Sequence, residues 1–210
     1  MLAHVLDAML GTTTKVRILR TLFALGSAAT GNEARGLARV RSVRAMYAAL
    51  DELTSLGILL REETRGPHLY RVNREHHLEE PLAALFEAES RRVGEMRAAL
   101  RSALEGAGQL APVVSMVLYG SNARGEAGPA SDLDVLVVTR DEAAVNPVRD
   151  ALLDASEQLG RRFGIQLSAY VLPEPRLRER YRDGDPLLLT IESEGRELHG
   201  TPFPELVQGW

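Results

Sequence analysis

The apolar pattern changes period at Val113. Before it, most apolar residues recur every three or four positions, the spacing of helices packed on one face. After it come the compact runs "VVSMVLY" and "DLDVLVVT", the pattern of strands buried in a sheet. Such a chain sets a mainly helical part ahead of an α/β part. The charge divides in the same sense. Residues 1–75 carry eleven Lys/Arg against seven Asp/Glu, and residues 76–210 carry fourteen against twenty-two. A basic first part joined to an acidic second part suggests two domains with different partners.

Composition closes off several classes. No apolar run approaches the eighteen or so residues of a membrane span, so no membrane partner is expected. The start, "MLAHVLDAML", lacks the basic region and cleavage site of a signal peptide. Cysteine is absent, which excludes disulfides and thiolate metal sites and makes a cytoplasmic address the default.

In the first part, "TTTKVRILRTLFAL" predicts a helix capped by Thr12 or Thr13, with Val16, Leu19, Leu22 and Phe23 as its stripe and Gly26 as its stop. "NEARGLARV" predicts a short second helix. "SVRAMYAALDELTSL" predicts a third, capped by Ser42, with Val43, Met46, Leu50 and Leu53 inward and Gly57 ending it. In "ILLREETRGPHLYRVN", two strand-like runs flank Thr64-Arg65-Gly66-Pro67, a hairpin loop.

Three helices and a hairpin within residues 1–75 resemble the winged helix-turn-helix domain of bacterial transcription regulators, the likeness resting on "MYAALDELTSLGILLREETRGPHLYRVN". The resemblance implies double-stranded DNA as a partner. The third helix would enter the major groove with Arg44, Ala45, Tyr47 and Ala48, and Arg65 and His68 would sit at the wing tip. A three-helix module that binds protein is the blander alternative. The turn between the second and third helices reads as tight.

Residues 76–110 hold a long connecting helix, "EEPLAALFEAESRRVGEMRAALRSALEGAG", with Pro81 in its first turn and Gly106 at its end. Leu82, Leu85, Phe86, Val93, Met96, Leu100 and Leu104 form one apolar stripe. It serves either as a connector packed on a neighbouring domain or as the seam of a homodimer.

Residues 111–210 predict a mixed sheet with flanking helices. "NPVRDALLDASEQLGRRFG" is an amphipathic helix, "IQLSAYVL" a third strand, "DPLLLTIESEG" a short helix capped by Asp185, and "RELHG" an edge strand. Between the first two strands lies "GSNARGEAGPASDLD". Side chains two apart on a strand point the same way, so Asp132 and Asp134 face one side together. Unpaired carboxylates there repel, and a divalent cation with a taste for hard oxygen, Mg²⁺, removes that cost. Gly120-Ser121 follows a strand and opens a helix at "NARGEA", whose free N–H groups suit a phosphate. Gly120 permits close approach, Ser121 adds a hydroxyl, and Arg124 adds charge.

Gly-Ser followed ten residues later by Asp-x-Asp resembles the polymerase-β-like nucleotidyltransferases. Ala123-Arg124-Gly125 and Ser131 resemble their minimal branch. That likeness implies a nucleoside triphosphate ligand, with Ser121 on its phosphates and Asp132 and Asp134 on Mg²⁺. A hydroxyl would attack the α-phosphate and pyrophosphate would leave. It also implies a third carboxylate on the strand after the intervening helix. That strand carries Gln166 and Ser168 instead, and Glu174 lies past its end and would have to reach back. An amide can ligate a metal but accepts no proton. Three readings follow: an Mg²⁺-dependent nucleotidyltransferase with turnover in doubt, a DNA-binding regulator that senses nucleotide without turning it over, and an antitoxin-like protein with a toxin partner.

Overall fold

The structure, a computed structural model, describes residues 9–124 and 131–208. The chain forms two compact units, Met1–Arg91 and Arg92–Trp210.

In the first unit, α1 (Thr13–Leu25) opens where Lys15 N–H donates to the Thr12 hydroxyl, and it stops at Gly26, which takes the left-handed conformation (φ 66°). Ile18, Leu19 and Leu22 are fully buried, while the expected Val16 and Phe23 pack at the core's margin. Strand β1 (Ala29–Thr30) was not expected from sequence; two residues are too few to show a period. A capping box of Thr30 and Glu33 opens α2 (Gly31–Leu37), and the Thr30 backbone N–H, then its hydroxyl, hold the Glu33 carboxyl below its usual range. The turn that follows passes through Arg39 at φ 51°, and Arg17 donates to the Arg39 carbonyl at 3.3 Å. Helix α3 (Val43–Ser55), capped by Ser42, buries Met46, Leu50 and Leu53 as expected. Val43, placed inward by its spacing, is instead exposed, because the first residue of the helix stands beyond the edge of the core. Strands β2 (Leu59–Glu62) and β3 (Leu69–Val72) form the hairpin, paired antiparallel from Leu59↔Val72 to Glu62↔Leu69. Strand β1 joins the far side of β3.

Helix α4 (Glu79–Gly106) supplies apolar residues to both units. Leu82 and Phe86 enter the core of the first unit, and Met96, Leu100 and Leu104 that of the second. The single stripe read from sequence is therefore broken. Leu85 and Val93 are about half exposed, because Val93 falls between the last contributor to one core and the first to the other.

The second unit is built on a four-stranded mixed sheet of order β6-β5-β4-β7. Strands β4 (Val113–Tyr119) and β5 (Leu133–Thr139) pair antiparallel, helix α6 (Val145–Phe163) crosses over, and β6 (Leu167–Pro173) returns parallel to β5. The short α5 (Gly120–Arg124) lies between β4 and β5. After β6 come α7 (Glu174–Arg182), α8 (Pro186–Glu194), the edge strand β7 (Arg196–Gly200) and α9 (Phe203–Gln208). Helix α8 starts where Asp185 accepts from the N–H groups of Leu187 and Leu188. Helices α7 and α9 were not expected: α7 shows four arginines where an apolar stripe would announce a helix, and α9 is only six residues long.

Both faces of this sheet are covered. Leu133, Val135 and Val137 of β5 pack with α4 and α6, and Leu136 and Val138 with α7, α8 and α9. Such strands read as continuous apolar runs, not as alternating ones. The runs that mark Val113 as a boundary have that cause.

Candidate functional site

Strand β4 ends at Tyr119, and Gly120 turns the chain at φ 71°, a left-handed conformation. Tyr119 pairs with Asp134 across β4 and β5. The Gly120 turn therefore lies against the Asp134 carboxylate, and a Cβ on Gly120 would stand 2.6 Å from Asp134 Oδ2. Strand β5 begins at Leu133, so Asp132 stands just ahead of it and not within it, as the sequence run suggested. Two ties fix that entry. Asn122 Nδ2 donates to the Asp132 carbonyl at 2.6 Å, and Leu133 N–H donates to the Gln166 carbonyl at 2.8 Å. Asp132 is exposed and Asp134 half-buried. Asp134 has the parity of Leu136 and Val138, so it stands at the open end of a track that is otherwise sealed.

The parallel register of β5 and β6 sets Gln166 and Ser168 against the aspartates. Asp134 pairs with Ser168, and Leu133 with Leu167, which sets Gln166 beside Asp132. Both Gln166 and Ser168 are exposed. Glu174 does not reach back. Strand β6 runs on to Pro173 opposite Thr139, and at about 3.3 Å per residue Glu174 lies roughly 20 Å along the sheet from Ser168. There it opens α7 and pairs with Arg178. Among the described residues, no group of three or more His, Asp or Glu side chains able to hold a metal comes together.

Around the aspartates, Ser121 and Ser131 are half-buried. Arg124 is ion-paired with Glu194 of α8 at 2.9 Å. Gly125, and the end of the helix expected at "NARGEA", lie outside the described residues. Burial, then the charge of Asp134, then Tyr170, push the Tyr119 hydroxyl above its usual range. Tyr170, two residues beyond Ser168, accepts a hydrogen bond from Arg180, which is in turn held by Asp185. Sequence reasoning passed over Tyr119 and Asn122. Only their places beside Gly120 could have pointed to them.

In the first unit, Arg44, Tyr47 and Ala48 lie exposed on α3, with Ala45 half-buried, and Arg65 and His68 are exposed in the hairpin loop. The Tyr47 ring crosses close over Gly31, where a Cβ would meet Tyr47 Cε1 at 2.9 Å. A cavity of about 760 Å³ opens beside the start of α3, lined by Arg17, Arg20, Arg39 and Arg41 and by Ser42 and Ala45.

Compared with known proteins, residues 100–191 match the nucleotidyltransferase domain family. No curated protein matches the chain. Among solved structures, the chain is similar to a toxin–antitoxin crystallised with AMP-PNP, at 15% identity over 54% of this chain and 82% of the other, TM-score 0.35. It is similar to a mutant of the toxin–antitoxin MntA-HpeT at 16% identity over 50% and 73%, TM-score 0.34. It is also similar to TrmBL2, an archaeal chromatin protein, at 15% identity over 83% and 70%, TM-score 0.25. The Gly120 turn and both aspartates thus lie inside the stretch, residues 100–191, that matches the nucleotidyltransferase domain family.

Proposed function

We propose that the second unit binds a nucleoside triphosphate with Mg²⁺ and transfers its nucleotide to a hydroxyl acceptor, and that the first unit is a winged helix that binds double-stranded DNA. One observation carries the first half: the Asp134 carboxylate lies against a side-chain-free turn, Gly120, with Asp132 two residues ahead of it, within the stretch that matches the nucleotidyltransferase family. Their donor atoms are hard oxygens and suit Mg²⁺, and the two of them suffice for one ion. When bound, that ion neutralises charge between the triphosphate and the aspartates.

In this reading Asp132 and Asp134 are the metal ligands. Ser121 donates its hydroxyl to the phosphates, the Gly120 backbone allows them close, Arg124 contributes charge beside Glu194, and Ser131 completes the polar rim. The acceptor oxygen bonds to the α-phosphorus, the bond to pyrophosphate breaks, and the acceptor proton must leave. Gln166 and Ser168, in the register of the third carboxylate, offer no base for it. Transfer is accordingly slow.

That same pair supports a second reading, a DNA-binding regulator whose nucleotidyltransferase domain senses nucleotide without turning it over. For the DNA half, support comes from the helix, hairpin and third-strand order, from exposed Arg44, Tyr47, Arg65 and His68, and from the arginine-lined cavity at the start of α3. Exposed Leu85 and Val93 on α4 are consistent with a homodimer through that helix. The minimal nucleotidyltransferase likeness adds a toxin partner as a further candidate. The test is incubation with each labelled nucleoside triphosphate and Mg²⁺. Label entering protein or RNA supports the enzyme, Mg²⁺-dependent binding without incorporation supports the sensor, and absence of both overturns the nucleotide reading.

A further inference from the structure

At the other end of the sheet, the second unit carries a concave site that the nucleotide reading does not use. Strand β5 runs away from Asp134 and ends at Thr139. The next residue, Arg140, lies about 20 Å from Asp134 along the strand, at 3.3 Å per residue. It lines a cavity of about 720 Å³ together with Arg178 and Arg182, one turn apart on α7, and with Glu174, Pro175 and Val207. Residues 76–210 carry a net −8, so three arginines meeting in one hollow run against the charge of their surroundings.

The lining is differentiated. Glu174 engages Arg178, and both side chains are about three-quarters buried. Arg140 and Arg182 are exposed, and the Arg182 Nε–H donates to the Arg178 carbonyl at 3.4 Å. Three guanidiniums against one carboxylate leave a formal +2 on the lining, the charge that balances a phosphomonoester dianion. Guanidinium forks match phosphate oxygens, and Pro175 and Val207 supply an apolar wall. The volume falls within the roughly 300–1,000 Å³ of small-molecule sites.

We propose that this hollow binds a small organic phosphate, gripped by Arg140, Arg178 and Arg182 without a metal, with its organic part on Pro175 and Val207. The ligand differs from the triphosphate of the Asp132–Asp134 centre in needing no Mg²⁺. The two sites can therefore be separated by chelation.

The experiment is calorimetric titration of the full chain in EDTA with adenosine 5′-monophosphate and, separately, with inorganic phosphate. Three proteins are compared: wild type, Arg140→Ala with Arg182→Ala, and Asp132→Asn with Asp134→Asn. Arg140 and Arg182 lie outside every core cluster, so their double variant should fold, which a thermal melt checks. The expected result is saturable binding of the nucleotide to wild type, at least tenfold weaker binding of inorganic phosphate, and loss of at least tenfold in affinity for both probes in the arginine variant. The aspartate variant keeps wild-type affinity. No binding in EDTA overturns the proposal. So does binding that survives loss of the arginines, or that vanishes with the aspartates. Mg²⁺-dependent triphosphate binding is measured separately, with Mg²⁺ present, and stands or falls on that measurement.

Discussion

A methyl group on Gly120 would stand 2.6 Å from Asp134 Oδ2, so a side chain at residue 120 would force the Asp134 carboxylate to turn away from its place. Gly120→Ala should therefore cost twice, once for a left-handed φ of 71° and once for the clash. The expected loss is about 2 kcal/mol in urea unfolding. Adding Asp134→Ala should remove the clash and leave only the backbone strain, so the two changes should be less than additive. Strict additivity would mean that Gly120 and Asp134 do not meet.

Triphosphate with Mg²⁺ should raise the melting temperature by mass action on the folded state, and neither alone should do so. Asp132→Asn with Asp134→Asn should abolish the shift. The ligand-free double variant should be no less stable than wild type, since it sheds like-charge repulsion. An undiminished Mg²⁺-dependent shift in the variant would place the metal elsewhere.

Gln166→Asp returns a carboxylate to the row of Asp132, and Ser168→Asp to that of Asp134. Gln166→Asp should raise single-turnover incorporation of labelled nucleotide by tenfold or more, equivalent to about 1.4 kcal/mol of barrier. Ser168→Asp tests the neighbouring row. Fast wild-type turnover would overturn the picture of an incomplete centre, and Glu174, at the far end of β6, could not be its explanation.

DNA affinity of the full chain should fall steeply with salt. Arg44→Ala with Arg65→Ala should weaken it and flatten the slope by about one to two, because each lost phosphate contact spares about one released counterion. Gel shifts from 50 to 200 mM salt measure both. Duplex binding that ignores salt, or none, would sink the winged-helix reading.

Two histidines set an acid limit. Burial, then Arg101 and Arg97, hold His199 below its ordinary range, and burial, then His77, do the same for His76. Each takes up a proton more readily unfolded than folded. The stability they contribute is thus full above the unfolded pKa of about 6.5 and is lost as pH falls through it towards the folded values. Melting temperatures should drop between pH 7.5 and 5.5, and His76→Gln with His199→Gln should shrink the drop.

Much of this was legible before any coordinates. Thr12, Ser42 and Asp185 announced their helices because a cap is a local hydrogen bond between near neighbours. Leu50 and Leu53 were legible because one helix face meets one core. Val93 was misjudged because sequence spacing shows which face of α4 it occupies but not that two separate cores use that face. The aspartates and the Gly120 turn were legible as a motif. The Tyr119↔Asp134 and Ser168↔Asp134 pairings were not, since register joins residues fifteen and thirty-four positions apart. The arginine hollow escaped for a like reason: Arg140 and Arg182 sit on elements that only the folded sheet brings together.

Strand β5 keeps two ledgers by parity. Odd positions 133, 135 and 137 go to one core, and even positions 136 and 138 to the other. Asp134 occupies the even track, where a slip of one residue would drive a carboxylate into the odd core and a leucine or valine out to the site. The number of residues between Gly120 and Asp132 has no say in this, because parity is set where β5 docks on β4 and β6. Insertions ahead of Asp132 should therefore leave the site's handedness intact, whereas a single residue gained or lost within β5 should cost fold and site in the same stroke.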